Sequence, residues 1–264
     1  MRCTDPAIDY LKSYGYSVVR LPKPDIKPLQ MLADLGSDLS RLGDLSTVFS
    51  SKSIPIPAVS SDNPAPTISG QRTSNLSLGT GLSILGNVIG AMGGSSLGLD
   101  GKYQSAKTVA FEFIDVLENS IQITQLDQFL GDADINPSSR HVNELLESDD
   151  IYIITDTIKS KKVRVGAQAS NGSSVTLKVP EIQGIVGGNV TVSTSATATG
   201  TLTYEGNVPL VFGFQAVRVF YDDGHYTSFE RLAPGGVVLA ALHNVPNDGA
   251  SRFMCAGPFV RLRS

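Results

Sequence analysis

Cysteine and histidine are the side chains best suited to nucleophilic or metal chemistry, and in this chain they are few and scattered. Cys3 and Cys255 stand near opposite ends of 264 residues, and neither belongs to a Cys-x-x-Cys pair, so no zinc or dithiol motif is present. His141, His225 and His243 fall in three different expected elements, none four residues from a second metal ligand on a helix. The run from Asp222 through Asp223 to His225 reads as a turn. A calcium loop starting at Asp132 fails, because Pro137 stands where the sharp turn needs Gly and Asn143 where a bidentate Glu would close the shell. Around Lys102, Ser96 replaces the first Gly of a phosphate loop and Tyr103 its metal-binding hydroxyl. No catalytic residue, metal or cofactor is expected, and the chain does not read as an enzyme.

The bulk numbers narrow the partners. With 41% hydrophobic and 17% charged residues and a net charge of −4, the composition is globular and too acidic overall for a nucleic-acid partner. Charge is nonetheless clustered. Lys159, Lys161, Lys162 and Arg164 form a basic run, and Asp132, Asp134, Glu144, Glu147, Asp149 and Asp150 an acidic group, both expected on solvated faces. The opening MRCTDPAIDYLK has no apolar core of a signal peptide, and no apolar run reaches the length of a membrane helix. A soluble protein in a reducing cytoplasm, its cysteines unpaired, is the expectation.

Pattern and punctuation then place the elements. Residues 6–14 form a short helix capped by Thr4 or Asp5 and ended by Gly15, and 16–20 a strand. The spacing predicts a second helix over 29–35, then a Pro/Ser-rich loop over 46–69 with one edge strand. Residues 108–114, TVAFEFI, alternate as a half-buried strand. Helices follow at 122–130 and 139–148, and two strands at 151–158 and 163–168. Asn171-Gly172 marks a turn, and 210–221 with 226–232 a hairpin. The result is an α+β fold with a twisted, mainly antiparallel sheet and surrounding helices, plus a short tail with its own apolar cluster.

Two long windows carry no charge at all, residues 73–99 and 182–204. In the first, Leu78, Leu82, Leu85, Ile89 and Met92 share one helical face. Leu76, Leu78, Leu82, Ile84 and Val88 equally fit a period of two, opposite Ser77, Gly79, Gly81 and Ser83. The second window alternates as a strand. Val190, Val192, Ala196, Ala198, Leu202 and Tyr204 occupy one face, with Asn189, Ser193, Ser195 and Thr residues on the other. A membrane strand needs about 9–11 residues with one face to lipid and one to water. Each window with its flanks is long enough for one hairpin across a bilayer.

In these residues the chain resembles the bacterial gasdermins. The likeness spans its whole length: Cys3 ahead of a short helix, YGYSVVRLPKPDIKPLQML at 14–32, the Gly-rich window running into KYQSAKTVAFEF at 102–113, and a short C-terminal extension. The resemblance implies a pore-forming body, residues 1–244, held inactive by an autoinhibitory tail, residues 245–264. A caspase-like or other protease removes the tail. The body then passes from a cytoplasmic monomer to a large homo-oligomer in the phospholipid of the bacterial inner membrane, and its β-barrel pore kills the infected cell in antiphage defence. The membrane-inserting residues are then Leu78, Leu82, Ile84, Val88, Val190, Val192, Ala196, Ala198 and Leu202. The resemblance also implies a palmitoyl thioester on Cys3, a chain whose burial contributes at most ~0.8 kcal/mol per CH₂.

The cut is expected in the linker His243, Asn244, Val245, Pro246, Asn247, Asp248, Gly249, Ala250, Ser251 and Arg252, the last suiting a trypsin-like enzyme. Phe253, Met254, Phe259 and Val260 would dock the tail on the body. Arg252, Arg261 and Arg263 against Asp248 give the tail a net charge of +2, so losing it makes the body more acidic. Attraction to anionic lipid must then come from local clusters such as residues 159–164 or Lys23 with Lys27. The competing reading is a β-rich structural or assembly protein without pore activity.

Overall fold

In the computed structural model, which describes Leu11 and residues 14–34, 39–73, 75–136, 138–194 and 200–232, two long strands organise everything else. Strand β10 (Ile151–Gln168) and strand β12 (Thr201–Asp222) pair antiparallel from Tyr152↔Arg218 to Gly166↔Thr201. On the free edge of β10 three shorter strands follow one another: β2 (Gln30–Asp34), β8 (Leu117–Ser120) and β7 (Thr108–Ile114). The free edge of β12 carries β13 (His225–Arg231), β1 (Ser17–Lys23) and β11 (Val190–Thr194). With β3 (Leu39–Asp44), β5 (Ser60–Pro64) and β6 (Leu76–Ser77) attached outside these, eleven strands make one sheet among the described residues. Strand β4 (Phe49–Ser50) pairs separately with β9 (Asp134–Ile135). The α+β fold with a mainly antiparallel sheet is as expected.

Five helices cover the sheet in the described residues: α1 (Leu78–Ala91), α2 (Leu99–Tyr103), α3 (Ile123–Asp132), α4 (Arg140–Glu147) and α5 (Val179–Val186). Three apolar clusters result. Leu126, Phe129 and Leu146 of α3 and α4 pack on Ile151, Ile153, Val217 and Val219. Tyr152, Ile154, Phe214 and Ala216 project from the opposite face of the same strands onto Val19 and Leu32. The third cluster joins α1, α2 and α5 to Val163, Val165, Leu202 and Tyr204 at the other end of β10 and β12.

Three expectations are corrected. The helix predicted over 29–35 is strand β2, with residues 30–33 all buried because β10 and β3 flank it and both faces meet core; the missing alternation imitated a helix. The two strands at 151–158 and 163–168 are one. Continuity through the break comes from Ser160, whose buried hydroxyl donates to Ile114 O (2.5 Å) and accepts from Lys162 N (2.9 Å) at a register shift. The third lies in the second charge-free window, which begins as helix α5 before turning into β11. Residues 108–114 form β7 with the predicted bounds, and the Asn171-Gly172 turn forms, though only Gln168↔Ser174 bridges across it. The hairpin at 222–225 closes through Asp223 (φ 49°) and Gly224 (φ 74°), a two-residue turn that needs positive φ at both positions. The helix expected at 6–14 lies outside the described residues except for Leu11, which is helical and buried, and Tyr14.

One strand residue is poised against its surroundings. Burial raises the Asp156 carboxyl above the ordinary aspartate value, the hydroxyl of Thr155 and the charge of Arg231 opposing and the charge of Glu118 reinforcing the shift. A raised folded-state value means the favourable contribution is complete below the unfolded value and lost as pH rises through the folded one. Asp156→Asn should therefore melt at higher temperature than the wild type at neutral pH. Thermal unfolding across pH tests this, with the difference fading as the pH falls toward 3.8.

Candidate functional site

The two charge-free windows meet. Helix α1 starts where Ser77, whose Oγ accepts from Thr80 N (3.4 Å), caps it, and it lies against β1, β7 and β12. Leu85, Val88 and Ile89 are buried on one face, while Leu78, Leu82 and Ile84 are partly buried against the same cluster. A helix is one of the two forms the sequence pattern allowed, and glycines at its ends and crossing differ in what surrounds them. A Cβ on Gly81 would stand 2.8 Å from Cβ of Val109, so glycine is what lets α1 cross β7 closely. Gly79 and Gly90 face open space and only weaken the helix.

The second window follows a different plan. Pro180 in the first turn, Glu181 near the N-terminus and Gly187 (φ 84°) after the end specify α5, signals that the alternation further along the window concealed. Strand β11 then buries Val190 and Val192 and exposes Thr191 and Ser193; in β12 Leu202 and Tyr204 are buried again. The alternation read from sequence holds wherever it is described. Ala196 and Ala198 lie outside the described residues, as do Cys3, the linker 243–252, Phe253, Met254, Phe259 and Val260, and the boundary at 244.

Contacts between the windows cluster at the C-terminal end of α1. Ser95 N donates to Val186 O (3.0 Å), and Asn189 Nδ2 donates to Gly93 O (3.0 Å). A Cβ at Gly94 would strike Val190 Cγ2 at 2.7 Å, and one at Gly206 would strike Met92 Cγ at 2.8 Å. Helix α2 closes the arrangement. The hydroxyls of Tyr103 and Tyr204, both fully buried, hydrogen-bond at 2.7 Å, and Lys102 pairs with Glu181 at 2.8 Å. Hydrogen bonds from Lys102 and Lys178 hold the exposed Glu181 carboxyl below its usual range. Burial pushes the Tyr103 hydroxyl up to about 12, so the pair stays neutral.

Gln183 was not singled out by the sequence, yet it makes the most specific contacts here. Its Nε2 donates to Val190 O (2.8 Å) and Gly187 O (2.9 Å), and its Oε1 accepts from Val192 N (2.8 Å). A glutamine inside a charge-free window was the available signal.

The basic run is already partnered in this fold. Lys159 pairs with Asp62 (2.8 Å), Lys161 with Glu205 (3.0 Å), Lys162 with Asp115 (2.8 Å) and Arg164 with Glu112 (2.5 Å). Lys27 pairs with Asp44 (2.8 Å). The basic run at 159–164 thus forms a series of ion pairs with neighbouring segments.

Nothing catalytic assembles among the described residues. His225 sits in the exposed turn with Nδ1 2.9 Å from Asp223 O, and His141 faces Glu144 at 3.8 Å on the surface of α4. Residues 94–98, Gly-Ser-Ser-Leu-Gly, spell a nucleophile-elbow pattern but link two helices, where such an elbow requires a strand-to-helix turn. Among the described residues no group of acidic, His or Cys side chains could hold a metal, and no helix is long and apolar enough to cross a membrane, which leaves strands unaddressed.

Comparison with known proteins gives a consistent result. The model of the Bacterial Gasdermin Family matches residues 19–225. The chain is 58% identical over 263 residues to the gasdermin bGSDM of a Desulfuromonadales bacterium, covering 99% of each. It is 43% identical over 251 residues to the gasdermin bGSDM of Lysobacter enzymogenes, covering 94% of this chain and 92% of that one. A solved bacterial gasdermin from Bradyrhizobium tropiciagri shares the fold at a TM-score of 0.62 and 18% identity, over 98% of this chain and 96% of that one.

Two stability measurements follow from the packing. Tyr103→Phe leaves the Tyr204 hydroxyl buried without its partner and should cost about 1–3 kcal/mol in urea unfolding, whereas Tyr103→Phe with Tyr204→Phe should regain most of that loss. Gly81→Ala, forced against Val109, should cost about 1–3 kcal/mol. Gly79→Ala, in open space, should instead stabilise by about 0.5–1 kcal/mol.

Proposed function

Because the chain belongs to the bacterial gasdermin family, we propose that it is the resting form of a pore-forming protein, activated when a protease removes residues 245–264. Membership makes it a non-enzymatic protein. In this reading the body, residues 1–244, moves from the cytoplasm to the bacterial inner membrane and assembles there as a large β-barrel. The activating partner is a caspase-like or other protease acting in the linker 243–252, and the resulting loss of membrane integrity ends the infected cell in antiphage defence. A palmitoyl thioester on Cys3 would be sheltered in the resting protein and would add membrane affinity after release.

The observation that carries the reading is the double periodicity of the first window, helical over residues 78–91 at rest yet alternating as a strand would over residues 76–84. Fourteen residues span about 21 Å as a helix and about 48 Å extended. Extension is therefore enough to cross a hydrocarbon core about 30 Å thick. The second window supports the same reading with a built strand, apolar on one face and hydroxyl-lined on the other. Isolated hairpins leave backbone groups unsatisfied in lipid, so two hairpins per chain require closure with other copies. An assembly protein without pore activity would need no charge-free segments of this length.

A chain ending at Asn244 should release dye from phospholipid vesicles and be toxic in bacteria, while the full chain does neither. Intact vesicles with the shortened, folded chain would overturn the pore reading. The mass of the gently purified protein separately tests the acyl group on Cys3.

A further inference from the structure

The ladders of the main sheet break at one level. Between β10 and β12 the register shifts from Ser160↔Leu210 to Lys162↔Glu205, so residues 206–209 of β12 stand against Lys161 alone. On the outer side of β10, β7 stops at Ile114, opposite Lys162, and β8 resumes at Leu117, opposite Lys159. Asp115 (φ 52°) and Val116 lie between them, and Val116 O accepts from Ala65 N (2.9 Å) outside the ladder. On the outer side of β12, pairing passes from β11, which reaches Gly206, to β1, whose nearest pair is Lys23↔Val211. Prolines mark the same level: Pro209 in the excursion of β12, and Pro22 in the irregular stretch of β1 between Val18 and Lys23. Neither can donate to a ladder. A bulge leaves its extra residues unpaired and bends its strand, and bulges aligned across neighbouring strands make a line along which a sheet bends.

Side chains and one helix span this line. Ser160 Oγ donates to Ile114 O (2.5 Å) and accepts from Lys162 N (2.9 Å). Lys161 pairs with Glu205 and Lys162 with Asp115. Phe113 of β7 and Phe212 of β12 lie on either side of it and stack at 3.8 Å, their planes 2° apart. Helix α1 crosses above, lying against β1 on one side and β7 on the other. Packing beneath the helix is incomplete. A cavity of about 10 Å³ is bounded by Val88 and Met92 of α1, by Leu210 and Phe212 from one side and by Phe113 and Val163 from the other.

We infer that this line is a hinge dividing the sheet into two leaves, and that α1 splints it in the resting fold. One leaf carries β1, β2, β8 and β13 with α3 and α4; the other carries β6, β7 and β11 with α2 and α5. A few residues at element ends suffice to absorb such a rotation, here 115–116, 160–161 and 206–209, while the ladders within each leaf stay whole. For its purpose the inference rests on the pore-forming reading: extension of residues 78–91 withdraws the splint, so the leaf that carries both windows turns as its segments leave the helical state.

The test measures distances by electron spin resonance in the full chain, with spin labels on azide-bearing residues that leave Cys3 and Cys255 untouched. One pair, at the exposed positions Thr191 and Ser228, spans the hinge; a second, at Ser61 and Ser228, lies within one leaf. Val88→Ala with Phe113→Ala thins the splint and removes the stack, and alanine keeps α1 a good helix former. In this variant the spanning distance should spread or shift by more than about 2 Å while the within-leaf distance holds. An unchanged spanning distance, or equal spread in both pairs, overturns the inference. Should that variant not fold, Ser160→Ala, which deletes a single oxygen, is read by the same pairs and the same criteria. The tail-trimmed wild-type chain on phospholipid vesicles gives the second measurement: the spanning distance should again shift by more than about 2 Å, with the within-leaf distance unchanged. Leaking vesicles with an unchanged spanning distance overturn the hinge. If the full-chain variant spreads across the hinge but the trimmed wild-type chain leaves vesicles intact, the pore reading fails and the hinge stands.

Discussion

Antiparallel pairing of β10 with β12 is the constraint on which the remaining structure depends. At 18 and 22 residues these strands far exceed their neighbours, and every other strand of the main sheet attaches to one of them directly or through a single intermediary. Their length also separates the chemistry. The half near Ile151 and Val219 is buried on both faces and shared with α3 and α4, whereas the half near Val165 and Leu202 carries α1, α2 and α5 on one face. In the proposed function, conformational change is confined to the second of these ends, and the first keeps its packing.

Much of this was readable where one physical signal spoke alone. Residues 108–114 carry valine and phenylalanine at every second position in sequence, although Ala110 between them is buried too, and Asp223-Gly224 can adopt the paired positive φ angles of a hairpin. Reading failed where a signal came from distant chain. Strand β2 has no alternation because both of its faces are covered, and Leu29 precedes it with φ 66°, a conformation imposed by backbone bonds to Ile154 and Leu45 rather than by its own preference. Gly81 seemed only to weaken a helix, since Val109, which makes glycine necessary there, lies 28 positions away in sequence. Gln183 was hidden for the same reason: its partners belong to a strand whose edge can be recognised only once the sheet is assembled.

The ion-pair ladder of residues 159–164 changes the electrostatic argument for membrane approach. These pairs are half-buried rather than fully exposed, and their charges are spent largely on one another. Their effect is to occupy cations that an anionic surface would otherwise attract. The partners are informative as well. Glu112 lies on β7, Asp115 immediately after it, and Glu205 on β12, so the basic run on β10 grips the two strands that lead out of the two windows.

Register then sets how those windows leave the fold. Thr108 at the start of β7 lies opposite Gln168, and Thr201 at the start of β12 lies opposite Gly166, so both strands begin beside the last residues of β10. Window one enters β7 and window two enters β12 at that same end, from opposite sides of one central strand. In the proposed conversion, the β6–β7 pair and the β11–β12 pair lengthen as two hairpins, which prolongs an existing sheet without re-pairing β10. New backbone hydrogen bonds then add to a preformed ladder, which avoids the entropic cost of nucleating an isolated hairpin. The helices that must be released, α1 and α5, are held by contacts to each other and to α2, while the half of the sheet stabilised by α3 and α4 keeps its packing. A fold built this way can change state at one end and remain a scaffold at the other.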